Sequence, residues 1–399
     1  MPGPLTARYC GSAAAHRIAL AITAASLQVL AAAPLRAQTP AAVPVAEAPR
    51  ASLPLFPLRV RWTADLGAPP AAAIAADEAR VYVPISTGAL LAVDADGGST
   101  VWRADLTTTV APVAADGRVY VVGDGVLQAL DGPTGRAIWR VPLPAAASAP
   151  LVARAGWVVA GLASGEVLAL RGVDGTIVWR QSFATSLAAL PAINGDRLYL
   201  PGADGTVRAL LVRDGSPVWS RTLGGGILGI SPLGARVYVG SADNYFYCLD
   251  DASGRVRWRW RAGADPVGLA VADDDRVFFT AMDTVVRALD RGHGAQRWRR
   301  PLPWRPRGGP LRVGTTLVAS GIALDLRGYA LDTGQPVGEF ALSESKLEVL
   351  EGQPVIVTRR TLPGDFLVVA VGDGRLLALE HVFRFPATPP TMLPGEAMA

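Results

Sequence analysis

The most conspicuous chemical motif is RVRWRWR, residues Arg255 to Arg261, in which arginine alternates with Trp258 and Trp260. Guanidinium and aromatic groups in alternation are typical of surfaces that grip nucleic acid or bind membranes. The side chains of an extended strand, however, alternate between its two faces, so both tryptophans should share one face and the arginines the other. We therefore expect two packed tryptophans and a solvated basic edge that discourages pairing with foreign strands.

Carboxylates, histidines and cysteines offer little else for catalysis. Eight aspartates either recur at one position of a repeat or precede glycine in a turn, where their role is conformational. They are Asp94, Asp131, Asp250, Asp290 and Asp332 in the repeat, and Asp124, Asp204 and Asp373 in the turns. His293 and His381 are far apart, and Cys248 stands where most repeats have alanine, so we expect neither a zinc site nor a nucleophile–base pair. The sequence predicts no catalytic, cofactor-binding or metal-binding residue.

The tryptophans belong to a repeated segment. Six segments of the type ALDGPTGRAIW end in tryptophan, with a glycine four residues earlier. The tryptophans are Trp102, Trp139, Trp179, Trp219, Trp258 and Trp298, and their glycines are Gly98, Gly135, Gly175, Gly215, Gly254 and Gly294. Trp62 precedes this series by one period and Phe340 follows it by one, and successive aromatic residues are 37 to 42 residues apart. A fixed period of this length indicates a repeat architecture.

Each period carries the signals of four β-strands. An apolar run such as RVYVVG is followed by an Asp-Gly turn, an alternating strand such as GVLQALD, and the strand with tryptophan, while a weaker strand such as APVAA precedes them. Four-stranded units of about 40 residues predict an all-β fold, an eight-bladed β-propeller of antiparallel blades. The last unit ends at Glu380 without its aromatic strand, so we expect the N-terminal strand Leu58 to Leu66 to close the ring.

The two ends of the chain differ from the repeats. Residues 1–37 are typical of a signal peptide, because Arg8 and Arg17 precede the apolar segment Ile18 to Ala33 and cleavage can follow Ala37. We expect residues 38–57 to form an Ala/Pro-rich linker, 58–382 the propeller and 383–399 a disordered tail. No cysteine lies directly after the apolar segment, so no lipoprotein signal is predicted. We expect a periplasmic or secreted protein whose mature chain lacks a transmembrane segment.

These units resemble the pyrroloquinoline-quinone (PQQ) repeat family of β-propellers. The resemblance covers about residues 58–380, and Ala129 to Trp139 match the family signature best, with Ala-Leu-Asp, a Thr-Gly turn and tryptophan. The family includes the BamB-type propellers of outer-membrane assembly and PQQ-dependent dehydrogenases. The dehydrogenases hold PQQ over a central tryptophan, with Ca²⁺ on carboxylate and amide oxygens and an aspartate as base. Those that oxidise alcohols also carry a disulfide between adjacent cysteines, which this sequence lacks.

Two functions from different classes follow from this resemblance. The first is a non-enzymatic, BamB-like scaffold that binds an envelope protein, uses no cofactor and is a monomer within a larger complex. The alternative is a quinoprotein oxidoreductase that uses PQQ and Ca²⁺. A third class, a propeller that senses a sugar or polymer, stays open. Beyond residue 37 the chain has 35 basic and 34 acidic residues, a balance that does not suit a nucleic-acid binder.

Departures from the repeat indicate where a partner could bind. The segment RRPLPWRPRGGP, Arg299 to Pro310, adds Trp304, Arg305 and Arg307 within a proline-rich loop. Aromatic residues and arginines on a stiff loop are typical of interaction hot spots, although an ordinary long surface loop would look the same. We take Trp304, Arg305 and Arg307 as the candidate interaction loop, with TRRTLPGDF at 358–366 as a second basic segment.

Overall fold

The computed structural model describes residues 55–322, 325–341, 349–358 and 365–382. They form eight four-stranded antiparallel sheets and no helix, and the sheets are the blades of one β-propeller. In every blade the first strand faces the centre, where it contacts its neighbours, and the fourth strand is outermost. The all-β, eight-bladed architecture predicted from the repeat is confirmed.

The strands of blades one to four follow one another along the chain. Blade one contains β2 (Ala75–Ala76), β3 (Arg80–Ile85), β4 (Ala89–Asp94) and β5 (Thr100–Asp105). Blade two contains β6 (Val113–Ala115), β7 (Arg118–Gly123), β8 (Val126–Asp131) and β9 (Ala137–Pro142). Blade three contains β10 (Val152–Arg154), β11 (Trp157–Gly161), β12 (Glu166–Arg171) and β13 (Ile177–Ser182). Blade four contains β14 (Ala192–Asn194), β15 (Arg197–Pro201), β16 (Thr206–Leu211) and β17 (Pro217–Thr222).

Blades five to eight complete the ring. Blade five contains β18 (Ile227–Leu233), β19 (Arg236–Ser241), β20 (Tyr245–Asp250) and β21 (Val256–Arg261). Blade six contains β22 (Pro266–Ala272), β23 (Arg276–Ala281), β24 (Val285–Asp290) and β25 (Gln296–Pro301). Blade seven contains β26 (Leu311–Val313), β27 (Thr316–Ser320), β28 (Asp325–Ala330) and β29 (Pro336–Ala341). Blade eight contains β30 (Val355–Val357), β31 (Phe366–Ala370), β32 (Arg375–His381) and the N-terminal β1 (Leu58–Asp65).

Blade eight joins the two ends of the propeller. Its outer strand β1 pairs antiparallel with β32, from Leu58 opposite His381 to Asp65 opposite Arg375. The closure predicted for the N-terminal strand is therefore confirmed. At this seam Arg59 and Arg61 on β1 form ion pairs with Glu380 on β32, both with N–O distances of 2.9 Å. Closing the ring in this way gives β32 a partner on each of its two edges.

The repeated tryptophan joins each blade to the next. Trp139 lies opposite Ala129 of its own blade, next to a β-bulge, and its ring covers Gly175 of the following blade. A Cβ atom at Gly175 would lie 2.7 Å from the ring, so glycine is required there, all the more because its φ is +73°. The indole nitrogen of Trp139 also donates a hydrogen bond to the carbonyl of Gly172, at 2.9 Å. Packing and a hydrogen bond thus act together across the blade interface.

The same contact recurs at seven of the eight blade interfaces. The ring-over-glycine pairs are Trp62 with Gly98, Trp102 with Gly135, Trp139 with Gly175, Trp179 with Gly215, Trp219 with Gly254, Trp258 with Gly294 and Trp298 with Gly334. In each of the seven, the indole nitrogen donates to a backbone carbonyl of the next blade at 2.7–3.1 Å. The glycine of a repeat thus contacts the tryptophan of the preceding blade, and the tryptophan four residues later contacts the glycine of the following blade.

Blade seven departs from this scheme. Its turn glycine is Gly334, and the residue four positions later, opposite Gly328, is Gly338. Phe340, which the aromatic spacing placed at the tryptophan position, lies two residues further along β29, opposite Leu326. The two positions share one face of the strand, so an aromatic residue at either one satisfies the same sequence pattern. The register, not the spacing of aromatic residues, identifies Gly338 as the equivalent of tryptophan.

Phe56 fills the space that blade seven leaves open. A Cβ atom at Gly338 would lie 2.6 Å from the Cβ atom of Phe56, and one at Gly328 would overlap its ring. Phe56 is only 5% exposed and belongs to an apolar cluster with Leu55, Val318 and other residues of blades seven and eight. Leu55 and Phe56, which lie within the segment predicted as linker, therefore belong to the propeller packing.

Candidate functional site

The candidate interaction loop connects β25 to β26, between blades six and seven. Trp304 is half-buried, and its ring lies over Gly321, where a Cβ atom would approach within 2.5 Å. Pro306 forms a β-bridge with Gly321, so the tryptophan and the proline fix the loop on blade seven together. Trp304 therefore has a packing role in addition to any contact with a partner.

The two arginines of this loop differ in their surroundings. Arg307 forms an ion pair with Glu351 at 3.1 Å, which ties the loop to the segment before β30. Arg305 is exposed and has no carboxylate partner in the part of the chain that the structure describes. Of the three predicted residues, Arg305 is therefore the one whose charge is available to a partner. The second basic segment, 358–366, lies mostly outside the described residues.

The repeat aspartates are occupied by their own turns. Asp250 accepts hydrogen bonds from the backbone N–H and hydroxyl of Ser253 at 3.0 and 2.8 Å, and it pairs with Arg257. The hydroxyl bond and the guanidinium hold the pKa of Asp250 below its usual value. Asp94, Asp131, Asp290 and Asp332 likewise accept turn N–H groups at 2.6–3.1 Å. The carboxylates of this position act in turn formation.

The other titratable groups that the sequence singled out lie apart from one another in the described structure. Cys248 is fully buried opposite Trp258, and desolvation raises the pKa of its thiol to about 11, so the reactive thiolate is disfavoured. His293 lies in the turn before β25 beside Asp290, while His381 ends β32 in blade eight. Asp273, in the acidic run 273–275, accepts the backbone N–H of Arg276 at 2.7 Å and pairs with its guanidinium.

The acidic, histidine and cysteine side chains of the described residues are not grouped as a Ca²⁺–quinone centre requires. Within residues 55–322, 325–341, 349–358 and 365–382, no three histidine, cysteine or acidic residues lie together as metal ligands would. A tight quinone site needs converging carboxylate and amide oxygens around the metal. We therefore derive no chemical step through PQQ or calcium. The described residues also contain no helix with the length and apolar character that crossing a membrane requires.

The outer strands of blades five and six form a basic surface, and the sequence predicted its part in blade five. On β21, Trp258 is buried and Trp260 half-buried, while Arg257, Arg259 and Arg261 are exposed, as strand alternation predicts. On β25 the same pattern places Trp298 inside and Arg297 and Arg299 outside. Arg259 also stacks over Tyr245 of the neighbouring strand, 4.7 Å from the ring centre. The tryptophans thus serve the fold, and the arginines face solvent.

Cavities occur elsewhere on the propeller. One of about 630 Å³ lies between blades six and seven and is lined by Phe56, the acidic run 273–275, Arg312 and Val337, among others. Smaller cavities of about 300 and 270 Å³ lie against Gly328 and Gly338 in blade seven and against Gln128 and Arg140 in blade two. The exposed arginines of β21 and β25 line none of these three.

Sequence reasoning missed Phe56 and its contact with blade seven. The signal was present, because Gly338 stands four residues after Gly334, where the other turn glycines are followed by tryptophan. A glycine at that position predicts a gap, and a gap needs a ring from elsewhere in the chain. What the sequence could not reveal is that the ring comes from a residue nearly 300 positions away.

Comparison with solved structures identifies the fold. The crystal structure of BamB from Moraxella catarrhalis is 21% identical in sequence and has a TM-score of 0.65. The match covers 82% of this chain and 99% of the BamB chain. A computationally designed protein, Ika8, is 16% identical, with 79% and 98% coverage and a TM-score of 0.66. The quinohemoprotein alcohol dehydrogenase from Comamonas testosteroni is 15% identical, with 83% and 78% coverage and a TM-score of 0.62. At these identities the similarity shows the fold alone.

Comparison with protein families is more specific. No curated protein matches the chain. The family described as outer membrane protein assembly factor BamB matches in three overlapping stretches, residues 59–171, 123–234 and 203–382. Together these stretches span the eight blades from β1 to β32. The chain therefore belongs to the BamB family of PQQ-repeat β-propellers.

Proposed function

We propose that this protein is a non-enzymatic scaffold of the cell envelope that binds another envelope protein during outer-membrane protein assembly. The observation that carries the proposal is the family match over all eight blades. A periplasmic location and a signal peptide at residues 1–37 are part of the proposal, as is function without a cofactor. The use of the repeat carboxylates within turns agrees with a structural role for them.

The loop between blades six and seven is the proposed contact surface. Trp304 and Pro306 hold its backbone against Gly321, so little conformational entropy is lost when a partner binds. Arg305 then presents an exposed guanidinium, which can pair with a carboxylate in a bidentate manner. In this arrangement Trp304 positions the loop, and Arg305 makes the contact.

Site-specific crosslinking tests this assignment. A photoreactive amino acid replaces Arg305 in cells of the native host, and the crosslinked protein is identified by mass spectrometry. The same replacement at Arg136, an exposed arginine in a turn of blade two, is the matched control. We expect one outer-membrane assembly protein to be captured from position 305 and not from 136. Equal capture at both positions, or none at 305, would reject the loop as the contact surface.

A second measurement separates the scaffold from the oxidoreductase. The purified protein is mixed with PQQ and Ca²⁺, and absorbance and dye reduction with alcohols or aldose sugars are recorded. We expect neither quinone binding nor turnover. Stoichiometric binding of PQQ with Ca²⁺-dependent turnover would replace the scaffold proposal with the quinoprotein alternative.

A further inference from the structure

Positive charge is concentrated in one sector of the propeller. Residues 255–312, from the outer strand of blade five to the start of blade seven, contain 13 arginines and six aspartates, a balance of +7. The rest of the chain beyond residue 37 contains 22 basic and 28 acidic residues, a balance of −6. The near neutrality of the whole chain therefore hides a strong charge asymmetry. Such asymmetry creates a local potential that attracts anions.

The carboxylates of this sector neutralise only some of its arginines. Asp273 pairs with Arg276 at 2.7 Å. Two further pairs join Asp283 to Arg287 and Asp290 to Arg297. Arg291, Arg300 and Arg312 donate instead to backbone carbonyls, so they keep their charge while serving the fold. The remaining arginines determine what the surface can bind.

The unneutralised arginines lie on the outside. Arg259 and Arg261 on β21 and Arg299 on β25 are exposed, and no carboxylate pairs with them within the described residues. We name these three the basic rim. Arg255 before β21 and Arg305 after β25 are also exposed and extend the positive surface at its two ends.

The equivalent arginines of blades one to three have side-chain partners, and two of these partners are carboxylates. Arg259 and Arg299 each follow the repeated tryptophan, as do Arg103, Arg140 and Arg180 in blades one to three. Arg103 lies 3.4 Å from Asp105, and Arg180 lies 3.8 Å from Glu166. Arg140 donates to the amide oxygen of Gln128 at 3.2 Å. Two of these three arginines therefore have a carboxylate within ion-pair distance, whereas Arg259 and Arg299 have none in the described part of the chain.

From this geometry we propose that the basic rim binds the phosphate headgroups of an anionic lipid surface. Guanidinium groups bind phosphate oxygens in a bidentate manner, and each exposed arginine of the rim can engage a separate headgroup. The rim lies on the outermost strands of two neighbouring blades, where a plane of phosphates can meet it without a shaped groove. This inference adds a lipid contact to the scaffold and does not depend on the identity of its protein partner.

Vesicle binding by two matched triple variants tests the proposal. The first variant combines Arg259→Gln, Arg261→Gln and Arg299→Gln. The control combines Arg103→Gln, Arg140→Gln and Arg180→Gln, which removes the same charge from exposed positions of blades one to three. Both are compared with the unmodified exported protein by cosedimentation with phosphatidylglycerol–phosphatidylcholine vesicles, and with phosphatidylcholine vesicles alone. Thermal unfolding checks that both variants stay folded.

The unmodified protein should bind the anionic vesicles at low salt and dissociate as salt increases, because the contact is electrostatic. The rim variant should bind roughly a hundredfold more weakly, since each arginine near an anionic membrane contributes about a fivefold gain in affinity. The control variant should lose less than about threefold in vesicle affinity, because an arginine away from the membrane surface is beyond the range of its potential.

Three outcomes would overturn the proposal. The first is an equal loss of vesicle binding in both variants, which would show only a dependence on net charge. The second is binding of neutral and anionic vesicles alike. The third is binding of polyglutamate without binding of vesicles, which would assign the rim to an acidic protein. None of these results bears on crosslinking from position 305, so the two proposals fail separately.

Discussion

Seven blade interfaces and the eighth hold the propeller together by different means. At the seven, a tryptophan ring covers a glycine of the next blade and its N–H group bonds a carbonyl there. Between blades seven and eight, Gly338 stands at the tryptophan register and Phe56 supplies the ring. The first kind of contact is encoded within each repeat, whereas the second needs the two ends of the propeller to meet. The seam therefore depends on chain closure in a way that the other interfaces do not.

The largest effect should come from removing the seam altogether. Deleting residues 55–66 removes Phe56 and all of β1, so β32 loses its outer partner and blade seven loses the ring that packs on Gly338. We expect the melting temperature to fall by more than about 10 °C, or cooperative unfolding to disappear, in differential scanning calorimetry. A synthetic peptide of residues 55–66 should bind the truncated protein and restore part of the loss. An unchanged melting temperature without aggregation would show that the seam is dispensable.

The next effect isolates Phe56 from the strand that follows it. Phe56→Ala should cost about 3–5 kcal/mol in urea unfolding, because it empties a space bordered by two glycines that cannot close it. Gly338→Trp should also destabilise the protein, since its Cβ atom alone would meet Phe56 at 2.6 Å.

Combining the two changes tests whether Phe56 stands in for the missing tryptophan. In the double variant the ring of residue 338 can occupy the emptied space, as tryptophan does in the other blades. The double variant should therefore be more stable than the sum of the single effects predicts, by about 1–3 kcal/mol. Additive effects would mean that Phe56 does not occupy the tryptophan position.

A smaller effect measures the contact at a regular interface. Gly135 and Gly117 have similar positive φ angles, +71° and +73°, so replacement by alanine strains both backbones to a similar extent. At Gly135 the new methyl group would also lie 2.6 Å from the ring of Trp102, whereas nothing lies within 4 Å of it at Gly117. We expect Gly135→Ala to cost about 2 kcal/mol more than Gly117→Ala in urea unfolding. Equal costs would show that the ring moves aside freely.

These contacts also show why the sequence predicted the regular blades so well and the seam less completely. Glycine and tryptophan recur at fixed spacing because every regular interface imposes the same two requirements. Phe340 matched the aromatic spacing although it lies two residues beyond the tryptophan position, on the same face of the strand. Phe56 lies in a stretch whose composition is typical of a linker. A pattern of spacing records local constraints. It does not record which distant residue fills a gap.

For the candidate interaction loop, too, the sequence predicted local properties but not contacts with distant segments. Its prolines, tryptophan and arginines marked an irregular, stiff loop from sequence alone. The sequence could not show that Trp304 would rest on Gly321 or that Arg307 would pair with Glu351, because both contacts join segments that only the fold brings together. The basic rim was hidden for a related reason, since whole-chain charge averages over opposite sectors.

The smallest expected effect concerns the ion pairs across the seam. Burial alone would raise the pKa of Glu380, but hydrogen bonds and charge from Arg61 and Arg59 outweigh it and leave the pKa below its usual value. A lowered folded-state pKa means that the ionised carboxylate stabilises the fold above its ordinary pKa, and that this contribution is lost as pH falls through the lowered value. Glu380→Gln should therefore cost about 1 kcal/mol or less at pH 7, given the partial exposure of the pairs.

The pH dependence of stability distinguishes the ion pairs of Glu380 from an ordinary surface ion pair. In urea unfolding, the difference in stability between the unmodified protein and Glu380→Gln should narrow as pH falls from about 6 to about 3. Protonation removes from the unmodified protein the carboxylate charge that the variant already lacks. Glu339, which is 69% exposed and pairs with Arg327 at 3.3 Å in blade seven, provides the control. Glu339→Gln should change stability by only a few tenths of a kcal/mol at pH 7. If the Glu380→Gln difference stays constant or widens on acidification, the carboxylate charge does not hold the seam, and closure rests on strand pairing and Phe56 alone.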